Sequence, residues 1–234
     1  NEGGQLFSSP TEPQRNYTMD SWAKSKGVEV IPHSGIIRFV GRSKELEMLH
    51  KYLQGERCNT SIVGMAGVGK TELAIQYAQK YWQEFYPGGV CWLSPKEHNI
   101  GIKIIEFVHL NMGLLVPETM RKLLKLEQQV TWCWQNWKHP KLPILVVIDD
   151  VTDYKAIQPY LPPPNGHFKV LITTRKKWLI QSFHELDLDI FDESDAMELL
   201  RTFLGIERIE QEFLIAKELC NWLGYLPLGL ELVA

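Results

Sequence analysis

Short apolar runs alternate along this chain with amphipathic stretches of helical period. From residue 43, SKELEMLHKYL puts Leu46, Leu49 and Leu53 on one helical face, with Ser43 as its N-cap. TSIV (60–63) reads as a short strand and GMAGVGKT (64–71) as a glycine-rich turn. TELAIQYAQKYWQEF follows as a helix whose Leu73, Tyr77, Tyr81 and Phe85 recur every four residues. YPGG (86–89) turns the chain into a second strand, VCWL (90–93). Helices are predicted over 99–112 and 118–138, separated by Gly113 and Pro117. ILVVID (144–149) shows no polar alternation, so it reads as a central parallel strand buried on both faces. YKAIQPYL is a short helix, PPPNGH (162–167) a turn, KVLITT (169–174) another buried strand, and the alternating HELDLD (184–189) an edge strand. Two helices, 193–204 and 207–223, end before Gly224. Strands alternating with helices predict an α/β fold, a parallel sheet with helices on both faces.

Three regions follow from this texture. Residues 1–36, opening NEGGQLFSSPTEPQRN, are rich in Gly, Ser, Pro and Thr with no apolar period, and read as a linker from an upstream domain. Residues 37–190 carry the α/β pattern, and 191–234 read as the start of a smaller helical domain that is cut short. The closing GYLPLGLELVA is almost wholly apolar from Leu226, with Glu231 its one charge. At 226–234 it is less than half of the roughly 20 residues that span a bilayer, so a membrane anchor is disfavoured. Pro227 instead starts a new helix, whose Leu228, Leu232 and Val233 are expected to pack inside the missing half.

Composition narrows the function classes. The chain has 234 residues, 44% of them apolar, and a formal net charge of -3, so no basic excess points to direct nucleic-acid or anionic-membrane binding. The run Arg175-Lys176-Lys177 reads as a solvated loop. Cys58, Cys91, Cys133 and Cys220 form no CxxC pair, and the seven histidines have no zinc spacing. Buried thiols and the lack of a secretory signal pattern suit a reducing, cytoplasmic setting. Trp132, Trp134 and Trp137 are open to two readings, core packing or a partner-binding face.

The chemistry begins at Gly64-Met-Ala-Gly-Val-Gly-Lys70-Thr71, which fits GxxxxGK[ST]. Glycines let backbone N–H groups turn inward around phosphate oxygens, and the following helix aims its positive end at the same anion. Lys70 reaches the β- and γ-phosphates, and the Thr71 hydroxyl binds Mg²⁺. ILVVIDDV then puts Asp149 and Asp150 at the C-terminal edge of a strand, where ligands bind in open α/β sheets. Asp149 suits the Mg²⁺ shell, and Asp150 suits orienting or deprotonating an attacking water. Arg175, after LITT at the same edge, either meets the γ-phosphate or is a surface arginine. No Asn/Thr-Lys-x-Asp segment is present, so adenine is favoured over guanine, and no GxSxG, HExxH or CxxC supports other hydrolase or metal chemistry.

FVGR (39–42), GMAGVGKT, LVVIDDV, LITTR and GYLPLGLEL occur in the order and rough spacing of the NB-ARC group of STAND signalling ATPases, which the chain resembles over about residues 37–234. The resemblance implies a P-loop NTPase three-layer sandwich followed by the start of a helical domain, with ATP or ADP and Mg²⁺ as ligands. It implies that Val40, Gly41 and Arg42 pack beside adenine and that Gly67, Val68, Gly69, Lys70, Thr71 and Glu72 form the phosphate loop. Asp149 then matches the Mg²⁺ carboxylate, Asp150 the second acidic residue and Arg175 a γ-phosphate sensor, while Pro227 and Leu228 cover the adenine or ribose. Tyr225 stands where plant members read directly from Gly to Leu-Pro-Leu, which is more like a bacterial member. The implied function is a switch, ADP-bound off and ATP-bound able to self-associate, with slow hydrolysis. It would control an upstream effector domain and be followed by winged-helix and sensor-repeat domains. The alternatives are a turnover ATPase, stimulated by nucleic acid or a phosphoryl acceptor with Asp150 as base, and a passive interaction module.

Overall fold

A computed structural model describes residues 27–55, 59–95, 99–139, 141–164, 166–177 and 182–234. Most of the predicted linker, residues 1–26, and Cys58 lie outside the described residues. The strands are β1 (Val28–Glu29), β2 (Thr60–Val63), β3 (Gly89–Leu93), β4 (Ile144–Val151), β5 (Phe168–Thr174) and β6 (His184–Asp187). All pair in parallel, in the order β1-β3-β4-β5-β2-β6. The helices of the sandwich are α1 (Ser43–Gln54), α2 (Lys70–Phe85), α3 (Ile100–Met112), α4 (Glu118–Leu123), α5 (Leu126–Gln135) and α6 (Tyr154–Ile157). After β6 come α7 (Glu193–Leu204), α8 (Ile206–Gln211), α9 (Phe213–Trp222) and α10 (Pro227–Val233).

The uninterrupted apolar run of β4 explains the layers. Its Ile144, Val146 and Ile148 enter one core with Ile104 and Phe107 of α3 and Val130 and Trp134 of α5. Its Leu145 and Val147 enter another with Leu49 and Leu53 of α1 and Leu73 and Tyr77 of α2. Alternate side chains of a strand point to opposite faces, so both faces of the sheet are covered. A third apolar cluster gathers Val40, Phe191 and residues of α7 to α10 around Leu200, Cys220 and Leu230.

Several local readings are corrected. Val28–Glu29, inside the stretch read as linker, adds an edge strand against β3, and the Val30 N–H donates to Val90 O at 3.2 Å. The helix expected over 118–138 is two helices broken at Leu124, which is extended at ψ 146°. Side chains make that break. Gln128 Oε1 accepts from the Lys125 N–H at 3.0 Å, and Gln129 Nε2 donates to Leu124 O at 2.9 Å. The expected helix over 207–223 is also split, at Glu212. Ser43 is the first helical residue of α1, and the cap position belongs to Arg42, in the left-handed region at φ 63°.

Trp134 and Trp137 are core residues, each 2% exposed. Their indole N–H groups donate to Tyr160 O and Gly88 O, both at 3.0 Å. Trp137 also stacks on Phe107 at 5.8 Å. Cys91, Cys133 and Cys220 are free and buried, and burial pushes the Cys133 thiol up to about 11. Among the described residues no helix is long and apolar enough to cross a membrane.

Trp137→Ala is expected to lower unfolding free energy by about 3–5 kcal/mol, the usual cost of emptying a buried aromatic site. Trp137→Phe keeps a smaller aromatic ring in the site but removes the indole donor to the Gly88 carbonyl, at about 1–3 kcal/mol. Urea titration of both variants measures the two losses, and a Trp137→Phe variant as stable as the wild type would contradict a separate hydrogen-bond contribution.

Candidate functional site

The C-terminal ends of β2, β4 and β5 open into a cleft of about 430 Å³, within the roughly 300–1,000 Å³ of small-molecule sites. Its floor is the loop from Gly64 to Gly69 that joins β2 to α2. Gly67 and Gly69 have φ of 79° and 96°, a region that disfavours side chains. A Cβ on Gly67 would also come within 3.1 Å of Leu228 Cβ, so the loop sits flush against the start of α10. The Leu228 N–H donates to Gly67 O at 3.2 Å, closing that contact.

Lys70, the first residue of α2, is 8% exposed, and its ammonium donates to Met65 O at 2.7 Å. Burial first, and then the neighbouring Arg175, push its pKa below the ordinary lysine value, against the pull of Asp150 and Asp149. Thr71 Oγ1 donates to Asp149 Oδ1 at 2.8 Å, tying α2 to β4. Glu72 also faces the cleft and accepts from Ser34 Oγ at 2.7 Å and Gln76 Nε2 at 2.8 Å.

β4 is irregular where its carboxylates stand. The register with β5 shifts between Ile148 and Val151, and Asp150 adopts φ 58°. Arg175 Nε lies 3.9 Å from Asp150 Oδ1, and the Arg175 side chain is 60% exposed. Among the described residues no cluster of three His, Cys, Asp or Glu side chains could hold a metal ion by itself. An all-oxygen pair, Thr71 and Asp149, is what the protein offers.

Of the residues named from sequence, Val40, Arg42, Gly67, Val68, Gly69, Lys70, Thr71, Glu72, Asp150, Arg175, Pro227 and Leu228 line the cleft. Asp149 does not line the cleft itself but accepts from the Thr71 hydroxyl that does. Gly41 is also off the wall, because the Asp195 carboxylate of α7 fills the space beside its Cα. Arg42 has its guanidinium committed. It pairs with Glu45 at 3.0 Å, donates to Asp189 O, makes a long 3.5 Å contact to Val68 O and lies 4.7 Å over the Phe191 ring. It braces the loop more than it faces the cavity.

Sequence reading missed a second set of lining residues. Gly35, Ile36, Arg38 and Phe39 form one side, and Phe191, Leu199, Phe203 and Glu231 another. Leu199 and Phe203 are four apart on α7, a spacing that could have marked one face, though core faces look the same. Thr173 also lines the cleft and was passed over inside the strand.

Comparison with known proteins agrees with this geometry. A family model described as "NB-ARC domain" matches residues 42–209, well over half of the chain. The regulatory protein AfsR of Streptomyces coelicolor is 24% identical over 84% of this chain and 20% of its own length. The disease resistance protein RPP13 of Arabidopsis thaliana is 26% identical over 81% of this chain and 24% of its own. The chain therefore spans only about a fifth to a quarter of these relatives. Among solved structures, a STAND protein with a tetratricopeptide repeat sensor from Pyrococcus horikoshii aligns at TM-score 0.50 and 20% identity, over 85% of this chain and 29% of that one. The ORC2 protein of Aeropyrum pernix in its ADP form aligns at TM-score 0.51 and 12% identity, over 74% and 53%. Parallel sheet, glycine-rich loop at a helix start and matched span together place this chain in the NB-ARC domain family of P-loop NTPases.

Proposed function

We propose that the cleft binds ATP and ADP with Mg²⁺ and that this chain is the nucleotide switch of a larger signalling protein. ADP holds the off state, and ATP favours a form able to assemble and to act on an effector domain elsewhere in the protein. The observation that carries the reading is the bond from Leu228 N–H to Gly67 O. It sets the start of α10 on the phosphate loop, so that loop and helical unit wall one cleft, and a ligand there senses how the two are docked. The chain's likeness to AfsR and RPP13, a regulatory and a disease-resistance protein by name, supports a signalling role.

In this reading the Lys70 ammonium leaves the Met65 carbonyl for phosphate oxygens, whose charge offsets the cost of burying the ammonium. Thr71 and Asp149 hold Mg²⁺ together with nucleotide and water. Mg²⁺ keeps several waters and needs few carboxylates, so a hydroxyl and one carboxylate fit it. When bound, the ion neutralises phosphate charge. Asp150 orients the attacking water for slow hydrolysis, and Arg175 faces the γ-phosphate. Phe191, Leu199, Phe203 and Pro227 give the base an apolar slot.

Magnitudes limit what Arg175 contributes. Driving a switch from 1:99 to 99:1 takes about 5.5 kcal/mol of differential binding. A unit charge pair at ~4 Å yields about 4 kcal/mol at an effective dielectric near 20. Arg175 is 60% exposed, however, and exposed pairs contribute only about 0–1 kcal/mol. Most of the discrimination must then come from metal and from closure of the helical unit over the cleft.

Arg175→Ala should leave ADP affinity within about twofold and cut the preference for ATP by about fivefold, the equivalent of ~1 kcal/mol. Titration calorimetry with both nucleotides measures this, and equal losses for both would remove the sensor role. Lys70→Ala should weaken both nucleotides by on the order of 100-fold, matching ~3 kcal/mol of charge-assisted hydrogen bonding. Chromatography of nucleotide released from the purified chain should find ADP with the wild type and none with the variant. Turnover near one per minute or slower supports the switch. Rapid steady-state hydrolysis would favour a turnover ATPase, and nucleotide content indifferent to Lys70 a passive module.

A further inference from the structure

Both carboxylates of the proposed metal and water positions sit in a β-bulge, and one hydroxyl holds the two of them. Between the register pairs Ile148 with Ile172 and Val151 with Thr174, β4 carries Asp149 and Asp150 while β5 carries only Thr173. Two residues opposing one define a bulge, which interrupts the ladder and leaves backbone groups to find other partners. The Asp150 N–H donates to Thr173 Oγ1 at 2.8 Å. The same hydroxyl donates to Asp149 Oδ1 at 2.5 Å. A threonine hydroxyl has one hydrogen and two acceptor sites, so one group can serve both neighbours. Thr173 is 1% exposed, so water is poorly placed to take over either bond. Thr174 pins the far side of the bulge, its Oγ1 donating to Val151 O at 2.7 Å.

Asp149 Oδ1 also accepts from Thr71 Oγ1 at 2.8 Å. The start of α2, the bulge of β4 and the end of β5 therefore meet at one carboxylate oxygen. Two hydroxyl donors on Oδ1 fix the carboxylate plane and so fix the direction in which Oδ2 points. Asp150 has φ 58°, a left-handed conformation in which Asp is tolerated and most side chains are not. The Thr173 hydroxyl is the side-chain group that meets its amide in that turn.

We infer that Thr173 is a positioning residue for the proposed Mg²⁺–nucleotide site. Its hydroxyl aims Asp149 at the metal and holds the backbone turn that presents Asp150. The inference rests on the nucleotide reading above but concerns a residue that reading does not use. Partners that orient a metal ligand from outside the coordination sphere typically carry about 10–100-fold in metal affinity.

Thr173→Val keeps the branched shape and removes the hydroxyl, whereas Thr173→Ser keeps the hydroxyl and removes the methyl. Nucleotide titrations with saturating Mg²⁺ and with EDTA separate metal coupling from general damage. In T173V the gain in ATP affinity on adding Mg²⁺ is expected to fall about tenfold, with affinity in EDTA changing less than about threefold, and T173S to recover the gain. Without nucleotide, exchange of the Asp150 amide with solvent should speed at least about tenfold in T173V and stay slow in T173S. An unchanged Mg²⁺ gain in T173V, an Asp150 amide as slow as in the wild type, or T173S behaving like T173V would overturn the inference. Should T173V not fold, T173S against T173C compares a strong hydroxyl donor with a weak thiol at similar size, and an equal Mg²⁺ gain in both overturns it. A wild-type chain with no Mg²⁺-dependent nucleotide binding would defeat the proposed function, while the amide measurement would still decide whether Thr173 holds the bulge.

Discussion

A parallel sheet buried on both faces sends the C-terminal end of every strand to the same edge, and the chemistry of this chain depends on that constraint. The order β4-β5-β2 makes three of those ends adjacent. From β2 comes the glycine-rich loop, from β4 the two aspartates, and from β5 Thr173 and then Arg175. Apolar runs such as Ile144–Ile148 cannot carry polar side chains through the core, so the polar residues collect where the strands end. The Thr71–Asp149 and Thr173–Asp149 hydrogen bonds then lock the three ends to one another.

The sheet edge supplies only part of the cleft. The rest comes from the third apolar cluster, which joins Val40 and Phe191 to α7–α10. Phe191 N–H donates to Tyr225 O at 3.1 Å, and Tyr225 N–H to Cys220 O at 2.9 Å, so the turn before α10 is tied back to its own unit. Gly224 and Tyr225, at φ 61° and 56°, make that turn tight enough to bring Pro227 and Leu228 over the phosphate loop. Arg42 braces the same junction from the other side, between Val68 and Asp189. Under the proposed function, a cleft with walls from both parts would report its occupant through their docking.

Much of the fold was legible because its signals were backbone requirements. GMAGVGKT announces itself since Gly67 and Gly69 take left-handed backbone angles and Gly64 lies against the Leu188 carbonyl, and ILVVIDDV since an unbroken apolar strand fits a doubly covered sheet. What stayed hidden left no periodic trace. Gln128 and Gln129 break a helix with side-chain hydrogen bonds that do not disturb its apolar spacing. β1 is two residues long, too short for alternation to register. Phe191, Leu199 and Phe203 look like core residues because a wall of apolar side chains has the same pattern whether it faces protein or ligand. Thr173 was hidden by its strand, since the bulge opposite it is a property of pairing and not of either segment alone.

The central claim is that nucleotide in this cleft is felt by the helical unit through the phosphate loop. Amide hydrogen exchange of the purified chain, with and without ADP, tests it most directly. Protection is predicted in residues 64–72 and also in 226–233, with the Leu228 amide among the most slowed. Saturating ADP that protects 64–72 and leaves 226–233 unchanged would contradict it.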